Sequence, residues 1–166
     1  MPEILDLYDK DGNRTGETVV RGTGIPEGRR VLTVSIVTVN SRGEILLTRR
    51  AKEKTFAHCW ENTAGCVQSG ETAAQGAVRE LYEETGIRVT EFELECRGSV
   101  TWKDCIHAYF LLRKDVPISA VRLLAGETDA AKWVRPSEYL KLAAAKQAIP
   151  LQASLLTERY PDLFQE

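Results

Sequence analysis

The sequence predicts an α+β fold in which helices pack on a mixed β-sheet. Runs of β-branched residues, which are typical of strands, alternate along the chain with segments of helical periodicity. Short turns join several of the predicted strands, so the sheet should contain antiparallel as well as parallel neighbours. The 166 residues, 43% of them hydrophobic, suffice for one substantial core, and residues 1–166 are therefore expected to form a single domain.

The first 50 residues are predicted to form two hairpins joined by a glycine-rich connection. Asp11-Gly12 supplies the first turn and the segment Ser-Arg-Gly at 41–43 supplies the second. The predicted segments are, in order, a hairpin over 4–20, a connection over 21–30, a buried strand over 31–40 and a second strand over 44–50. Residues 51–71 lack a clear period, so we expect a long loop with a short extended piece near Trp60. Loops of this length in compact domains are usually functional.

The remainder of the chain is predicted to alternate between helices and strands. Alanines and leucine at helical spacing over 72–85 indicate a helix that ends before Gly86, and Pro136 is placed to open another. The predicted segments are a helix over 72–85, strands over 90–100, 104–113 and 130–134, a short helix from 136 and a last helix near the C-terminus.

Charge and cysteine spacing exclude several functional classes. The net charge of −2 provides no broad basic field, so neither nucleic acid nor an anionic membrane is an expected partner. The chain has no apolar run of membrane-spanning length and its N-terminus does not resemble a signal peptide, so the expected location is cytoplasmic. No C-x-x-C pair occurs, which argues against a zinc site, and the lack of a secretory signal argues against disulfides. The cysteines are Cys59, Cys66, Cys96 and Cys105.

The stretch RELYEETG at 79–86 gathers three carboxylates in the last turns of the predicted helix. Glu80, Glu83 and Glu84 are three and four residues apart and share one strip, on which Gly76 also lies. Each like-charged pair costs roughly 0.2–0.5 kcal/mol, and exposed carboxylates at the negative end of a helix cost roughly another 0.3–1 kcal/mol each. The alternatives are a solvated acidic helix end and a site for a hard divalent cation such as Mg²⁺ or Mn²⁺, which prefers clustered carboxylates.

The surrounding sequence favours the cation site. Residues 65–87, GCVQSGETAAQGAVRELYEETGI, fit the pattern G-x5-E-x7-R-E-U-x-E-E-x-G-U at every fixed position, where U is a bulky aliphatic residue. A chance match in such a chain is on the order of one in ten million. This segment resembles the Nudix box, and the chain resembles the Nudix hydrolase family. The resemblance implies a three-layer α/β/α sandwich with a mixed sheet and Mg²⁺- or Mn²⁺-dependent hydrolysis of a diphosphate linkage in a small-molecule, nucleoside-diphosphate-type substrate.

The resemblance also implies roles for particular residues. It makes Glu80, Glu83 and Glu84 the metal-binding and catalytic carboxylates, with the carbonyl of Gly65 as a further ligand. Glu71 and Arg79 would pair to hold the loop against the helix. A loop glutamate, Glu127, is expected to be an extra ligand or the general base, although Asp129 lies two residues away. The alternative for Glu127 is a solvated loop carboxylate. A homodimer is compatible with the resemblance.

Basic residues at the end of the predicted strand 44–50 and after it are candidates for holding substrate phosphates. A solvated basic loop is the alternative. The candidate residues are Arg49, Arg50 and Lys54, with Lys52 between them. His107 is expected to be a structural histidine with satisfied hydrogen bonds, and Cys66 to be a packing residue.

Two other functions are consistent with parts of the sequence. The N-terminal ILDLYDKDGNRTG resembles the isopentenyl-diphosphate isomerase branch of the superfamily, which has a catalytic cysteine in an N-x-x-C-x-H-like stretch. Here Gly65 occupies that cysteine position, Cys66 follows one residue later and no histidine comes after it. The second alternative is a non-catalytic nucleotide-sensing domain, against which the intact set of glutamates argues. The LPGG-like stretch of many family hydrolases is also altered, since ENTAG follows Trp60.

Overall fold

A seven-stranded mixed sheet forms the centre of the molecule, and the computed structural model describes residues 1–165. The strands are β1 (Ile4–Tyr8), β2 (Arg14–Val20), β3 (Val31–Val39), β4 (Ile45–Arg50), β5 (Trp60–Glu61), β6 (Thr63–Cys66), β7 (Leu94–Thr101), β8 (Cys105–Arg113) and β9 (Thr128–Val134). The helices are α1 (Ala73–Thr85), α2 (Pro136–Ala144) and α3 (Pro150–Arg159), with short 3₁₀ turns at Glu91–Glu93, Ile118–Ala120 and Pro161–Phe164.

Strands β3 and β8 pair in parallel at the middle of the sheet, whereas the other pairs are antiparallel. β3 also pairs with β6 over Thr63–Cys66, and β4 pairs with β5 and with β9. The predicted hairpin between β3 and β4 therefore pairs only next to its turn, where Val39 faces Ile45. The reason is that β6 occupies the edge of β3 along Thr33–Ile36, which leaves β4 to pair with β9 instead.

Helices cover both faces of the sheet and confirm the predicted α/β/α sandwich. Successive residues of a strand point to opposite faces, so Val37 and Leu111 pack with α2 and α3, while Ile36 and Phe110 pack with α1. Each layer is held mainly by the burial of these apolar side chains, at roughly 25 cal/mol per Å² removed from water. Within residues 1–165, no helix is long and apolar enough to cross a bilayer.

Helix α1 begins and ends where the sequence predicts. The hydroxyl of Thr72 accepts a hydrogen bond from the Gln75 backbone N–H (3.1 Å), and the Gln75 side chain accepts one from the Thr72 N–H (2.9 Å), which together form a capping box. Gly86 ends the helix with φ 73°, in the left-handed region that favours glycine. These caps fix the position of the acidic turn relative to the sheet.

The N-terminal strands β1 and β2 form a separate two-stranded sheet, as the predicted hairpin requires. Leu5 and Leu7 pack against Val31 at the start of β3. The Asp6 carboxylate accepts hydrogen bonds from the Ser69 hydroxyl (2.7 Å) and the Gly70 N–H (3.0 Å). The hairpin therefore supports the loop that precedes α1.

Candidate active site

The acidic turn of α1 faces a polar cavity of about 270 Å³. Strand β6, the connection after β2, the start of the 51–59 loop and the turn before β9 complete its wall. The cavity is lined by Glu3, Arg21, Arg50, Lys54, Glu61, Ala64, Gly65, Glu80, Glu83, Glu84, Leu124, Glu127 and Thr128. Segments that are distant in sequence thus bring six carboxylates and three cationic groups to one cavity.

Arg79 and Glu71 tie the loop before α1 to the helix, as predicted. The Arg79 guanidinium donates to both Glu71 oxygens (2.7 and 3.0 Å) and to the carbonyl of Cys66 (2.8 Å). It also donates to Glu80 (2.9 Å) and, more weakly, to the exposed Glu83 (3.2 Å). The Glu71 carboxylate, followed by that of Glu80, raises the pKa of Arg79 further above its usual range. One guanidinium therefore sets the positions of the loop and of two acidic-turn carboxylates.

Two glycines allow the helix and the loop to approach closely. A Cβ on Gly65 would overlap the carboxyl group of Glu80, so only glycine fits beside that carboxylate. A Cβ on Gly76 would lie 2.9 Å from Cγ2 of Val67 and 3.3 Å from its Cα. Gly76, which shares the strip of the three glutamates, is buried against the loop.

Glu84 is the most unusual side chain of the cavity. Its Oε2 atom is buried and has no hydrogen-bond partner among the described residues. Burial raises the pKa of its carboxyl group well above the usual range, and the nearby charges of Glu61 and Glu80 raise it further. Glu80 is also buried, and burial raises its pKa although Arg79 opposes this effect. Placing these carboxylates together is costly unless a cation or a proton accompanies them.

In their present conformations, the acidic side chains of the cavity do not form a complete metal-binding site. Among residues 1–165, no three Asp, Glu, His or Cys side chains are grouped closely enough to hold one metal ion. Ion pairs with Arg79 occupy Glu80 and Glu83, whereas Glu84 has no such partner.

Each of the three cationic residues of the cavity is paired with a carboxylate. Arg21 contacts Glu3 (2.7 Å), Arg50 contacts both oxygens of Glu61 (3.0 and 3.2 Å), and Lys54 contacts Glu127. These three acid–base pairs, Arg21–Glu3, Arg50–Glu61 and Lys54–Glu127, are called the rim pairs below.

Most of the residues predicted from the sequence meet in this cavity. Gly65, Arg50, Lys54, Glu127 and the three α1 glutamates all line it. Arg49 does not line the cavity: its guanidinium pairs with Asp129 (2.7 Å) and lies 5.7 Å from the centre of the Trp60 ring. Asp129 is thereby held outside the cavity as well.

Sequence reasoning missed three of the charged lining residues, namely Glu3, Arg21 and Glu61. Glu3 and Arg21 come from the N-terminal hairpin and the connection after it, and no spacing relates them to the segment 65–87. Glu61 follows Trp60 in the irregular loop and is buried, with 7% of its surface exposed. Burial raises its pKa, and the Arg50 guanidinium opposes that shift. The one available signal was a carboxylate next to a tryptophan in a loop of suspected function.

The environments of Cys66 and His107 agree with the structural roles predicted for them. Burial raises the pKa of the Cys66 thiol, which therefore stays protonated near neutrality. The two ring nitrogens of His107 bond to the hydroxyls of Thr33 (2.7 Å) and Ser35 (3.0 Å). Burial lowers the pKa of His107 to about 4, so the ring is neutral at pH 7.

Comparison with known proteins identifies relatives over nearly the whole chain. The chain is 29% identical over 150 residues to an uncharacterized Nudix hydrolase of Listeria monocytogenes, with 89% of each chain covered. It is 31% identical over 133 residues to the CTP pyrophosphohydrolase of Escherichia coli (78% of this chain, 95% of that one). It is also 28% identical over 153 residues to the isopentenyl-diphosphate Delta-isomerase of Corynebacterium diphtheriae (83% and 81%).

A solved structure and a family match agree with these relatives. The crystal structure of DR0079 from Deinococcus radiodurans superposes with a TM-score of 0.79 at 25% identity, covering 95% of this chain and 99% of that one. The sequence model of the NUDIX domain matches residues 29–155, which include the acidic turn and most of the cavity. The chain therefore belongs to the Nudix hydrolase family, whose members act on pyrophosphate bonds.

Proposed function

We propose that this protein is a cytoplasmic, Mg²⁺- or Mn²⁺-dependent hydrolase that cleaves the diphosphate linkage of a nucleoside-diphosphate-type or related organic diphosphate. The observation that carries this proposal is the buried, unpartnered oxygen of Glu84 beside Glu80. A buried carboxylate oxygen without a partner destabilises the fold, whereas a bound cation would offset that cost.

The chemistry of the donor set fits a hard divalent cation. Glu80, Glu83 and Glu84 supply carboxylate oxygens and Gly65 supplies a backbone carbonyl, which are the ligand types that Mg²⁺ and Mn²⁺ prefer. Glu83 is exposed, so its side chain is free to turn away from Arg79. A bound cation neutralises the charge of a diphosphate and makes water more acidic.

The protein's own side chains would bind the phosphates and move the proton. Arg21, Arg50 and Lys54 present positive charge to the same cavity. We assign Glu127 as the group that accepts the proton of the attacking water on its carboxylate. Glu127 lines the same cavity as the three glutamates of α1, and its contact with Lys54 holds the carboxylate there.

The relatives support a hydrolase acting on a nucleotide. The Escherichia coli relative is named for CTP pyrophosphohydrolysis, and the segment 65–87 has every fixed residue of the hydrolase motif. The isomerase relative keeps the second candidate, isomerisation of an allylic diphosphate, open to test. Against it stand Gly65 at the nucleophile position and the protonated, partly buried Cys66 thiol.

The decisive experiment is a substrate panel with a metal requirement. Purified protein is incubated with nucleotide sugars, dinucleoside polyphosphates, nucleoside triphosphates, NADH, CoA and isopentenyl diphosphate, each with Mg²⁺, with Mn²⁺ and with EDTA. We expect ³¹P NMR to show that a diphosphate bond is cleaved. This cleavage should require the metal, and Glu83→Gln or Glu84→Gln should abolish it. Deuterium incorporation into isopentenyl diphosphate without phosphate release would support the isomerase, and binding without turnover would support a sensor.

A further inference from the structure

A groove of about 360 Å³ adjoins the acidic cavity. Four residues line both spaces, namely Arg50, Glu61, Ala64 and Gly65. The two spaces thus lie side by side along these residues. A molecule whose phosphates lie in the cavity can therefore extend its organic part into the groove.

The far wall of the groove offers no free charge. His107 lies there with both ring nitrogens bonded to hydroxyl groups, one of them on Thr33. The amide of Gln152, also on this wall, accepts from the Asn62 N–H (3.1 Å) and donates to the Asn62 carbonyl (3.2 Å). Ile149 adds an apolar surface. Since the polar groups are already bonded within the protein, the wall suits an uncharged and weakly polar ligand.

Phe56 stands at the mouth of this groove with 62% of its surface exposed. Its φ is 53° and that of His58 is 63°, so two non-glycine residues of the short β4–β5 loop adopt the uncommon left-handed conformation. Such a conformation persists only where surrounding contacts impose it.

Those contacts come from the cavity itself. The Arg50 guanidinium, which pairs with Glu61, also donates to the carbonyl of Thr55 (2.6 Å) and to its hydroxyl (3.1 Å). The Cys59 N–H donates to the Phe56 carbonyl (3.1 Å). These hydrogen bonds hold the loop in a strained conformation. The aromatic ring of Phe56 is left largely exposed to water beside the groove, so it contributes little to the stability of the fold.

From this arrangement we infer that the organic half of the substrate is an uncharged planar group, such as a heteroaromatic base, and that it stacks on the ring of Phe56. Phe56 is then a specificity-determining residue of the reaction. The inference rests on the proposed function, because the groove adjoins the cavity that would hold the phosphates.

Two non-hydrolysable probes separate stacking from phosphate binding. Methylenediphosphonate has the diphosphate-like part alone, and the α,β-methylene analogues of ADP and CDP add a base. Dissociation constants are measured by calorimetry in the presence of Mg²⁺. We expect at least one base-containing analogue to bind wild type more tightly than methylenediphosphonate. Phe56→Ala should weaken that binding roughly five- to hundredfold, the usual range for a lost base–aromatic stack, and leave methylenediphosphonate unchanged.

The matched control is Phe92→Ala, since Phe92 is 99% exposed and lies outside the groove; it should bind every probe as wild type does. Phe56→Tyr, which keeps an aromatic ring, should retain the affinity. If Phe56→Ala weakened all probes equally, or none of them, the stacking role would be refuted. A wild type that bound methylenediphosphonate no less tightly than both base-containing analogues would also overturn this inference while sparing the proposed function. Failure to bind any probe with Mg²⁺ would contradict both.

Discussion

The buried carboxylate of Glu84 should destabilise the metal-free protein and, under the proposed function, bind the metal ion. In Glu84→Gln the buried group is neutral, so the free energy of unfolding without metal should be equal to that of wild type or higher. Addition of Mg²⁺ should raise the melting temperature of wild type and raise that of the variant much less. Thermal melts in EDTA and in Mg²⁺ measure both differences.

Glu158→Gln provides the control for that experiment. Glu158 also lies at the C-terminal end of a helix, but it is exposed and pairs with Arg159. Its removal should leave the Mg²⁺-induced shift unchanged. Equal shifts in wild type and Glu84→Gln would remove Glu84 from the proposed ligands.

Glu127 and Asp129 test the assignment of the proton acceptor. Glu127 lines the cavity, whereas Asp129 pairs with Arg49 outside it. Glu127→Gln should lower kcat by roughly 10²–10⁴-fold, the scale of a lost general base, with a much smaller change in KM. Asp129→Asn should keep near-normal kcat. Steady-state kinetics on the substrate found in the panel measures both variants. Normal turnover by Glu127→Gln would mean that a glutamate of α1, and not Glu127, accepts the proton.

His107 predicts how stability depends on pH. Its pKa is lowered from 6.5 to about 4 by burial, so below pH 6.5 the unfolded chain takes up a proton that the folded chain does not. The contribution of a neutral His107 is thus complete above pH 6.5 and declines as the pH falls towards 4, by at most about 3 kcal/mol. Urea unfolding of wild type and His107→Gln between pH 4 and 7.5 measures it. The variant should lose less stability on acidification, and parallel curves would contradict the shift.

At the scale of residues, the sequence predicts chemistry better than position. The spacing of Glu80, Glu83 and Glu84 determines that they share a helical strip, and the structure brings all three to one cavity. The neighbours Arg49 and Arg50 look equivalent in sequence. They separate because side chains alternate along a strand and because the pairing of β4 with β9 shifts register between them. The pairing of β4 with β9, which the sequence does not specify, thus determines which arginine reaches the cavity.

Among the elements, α1 offers the sharpest test of packing. Alanine is favoured over glycine in a helix by about 1 kcal/mol, yet Gly76→Ala should lower the melting temperature because its Cβ would meet Val67. Removing the Val67 methyl groups should relieve part of this overlap. A double-mutant cycle with Val67→Ala should therefore show that Gly76→Ala is less harmful in the shortened background. Additive effects would mean that Val67 is not the obstacle.

Local signals explain why the helices were predicted well and the sheet less completely. Thr72 and Gly86 mark the two ends of α1 through hydrogen bonds and a left-handed φ that depend only on neighbouring residues. The parallel pairing of β3 with β8 joins residues more than 70 positions apart. Strand patterns do not specify such partners, since any buried strand satisfies the same pattern.

For the molecule as a whole, the N-terminal hairpin extends the site beyond the family match. That match begins at residue 29, whereas Asp6 supports the loop before α1, and Glu3 and Arg21 line the cavity. Arg21→Gln should raise KM for the diphosphate substrate about tenfold, as expected for a partly exposed charge-assisted contact, with kcat nearly unchanged. Arg29→Gln is the matched control, because Arg29 pairs with Glu17 outside the cavity. An unchanged KM in Arg21→Gln would limit the hairpin to a supporting role. The homodimer stays a prediction for light scattering to decide.

Under the proposed function, the rim pairs would make phosphate binding an exchange reaction. Arg21, Arg50 and Lys54 each already contact a carboxylate. An incoming diphosphate would have to displace these internal anions, which would return when the products leave. The positive charges would then be neutralised in both states, and the net attraction for a single phosphate group would be small. A product with one phosphate would compete poorly against the returning carboxylates, whereas a diphosphate that contacts several cations at once would displace them together.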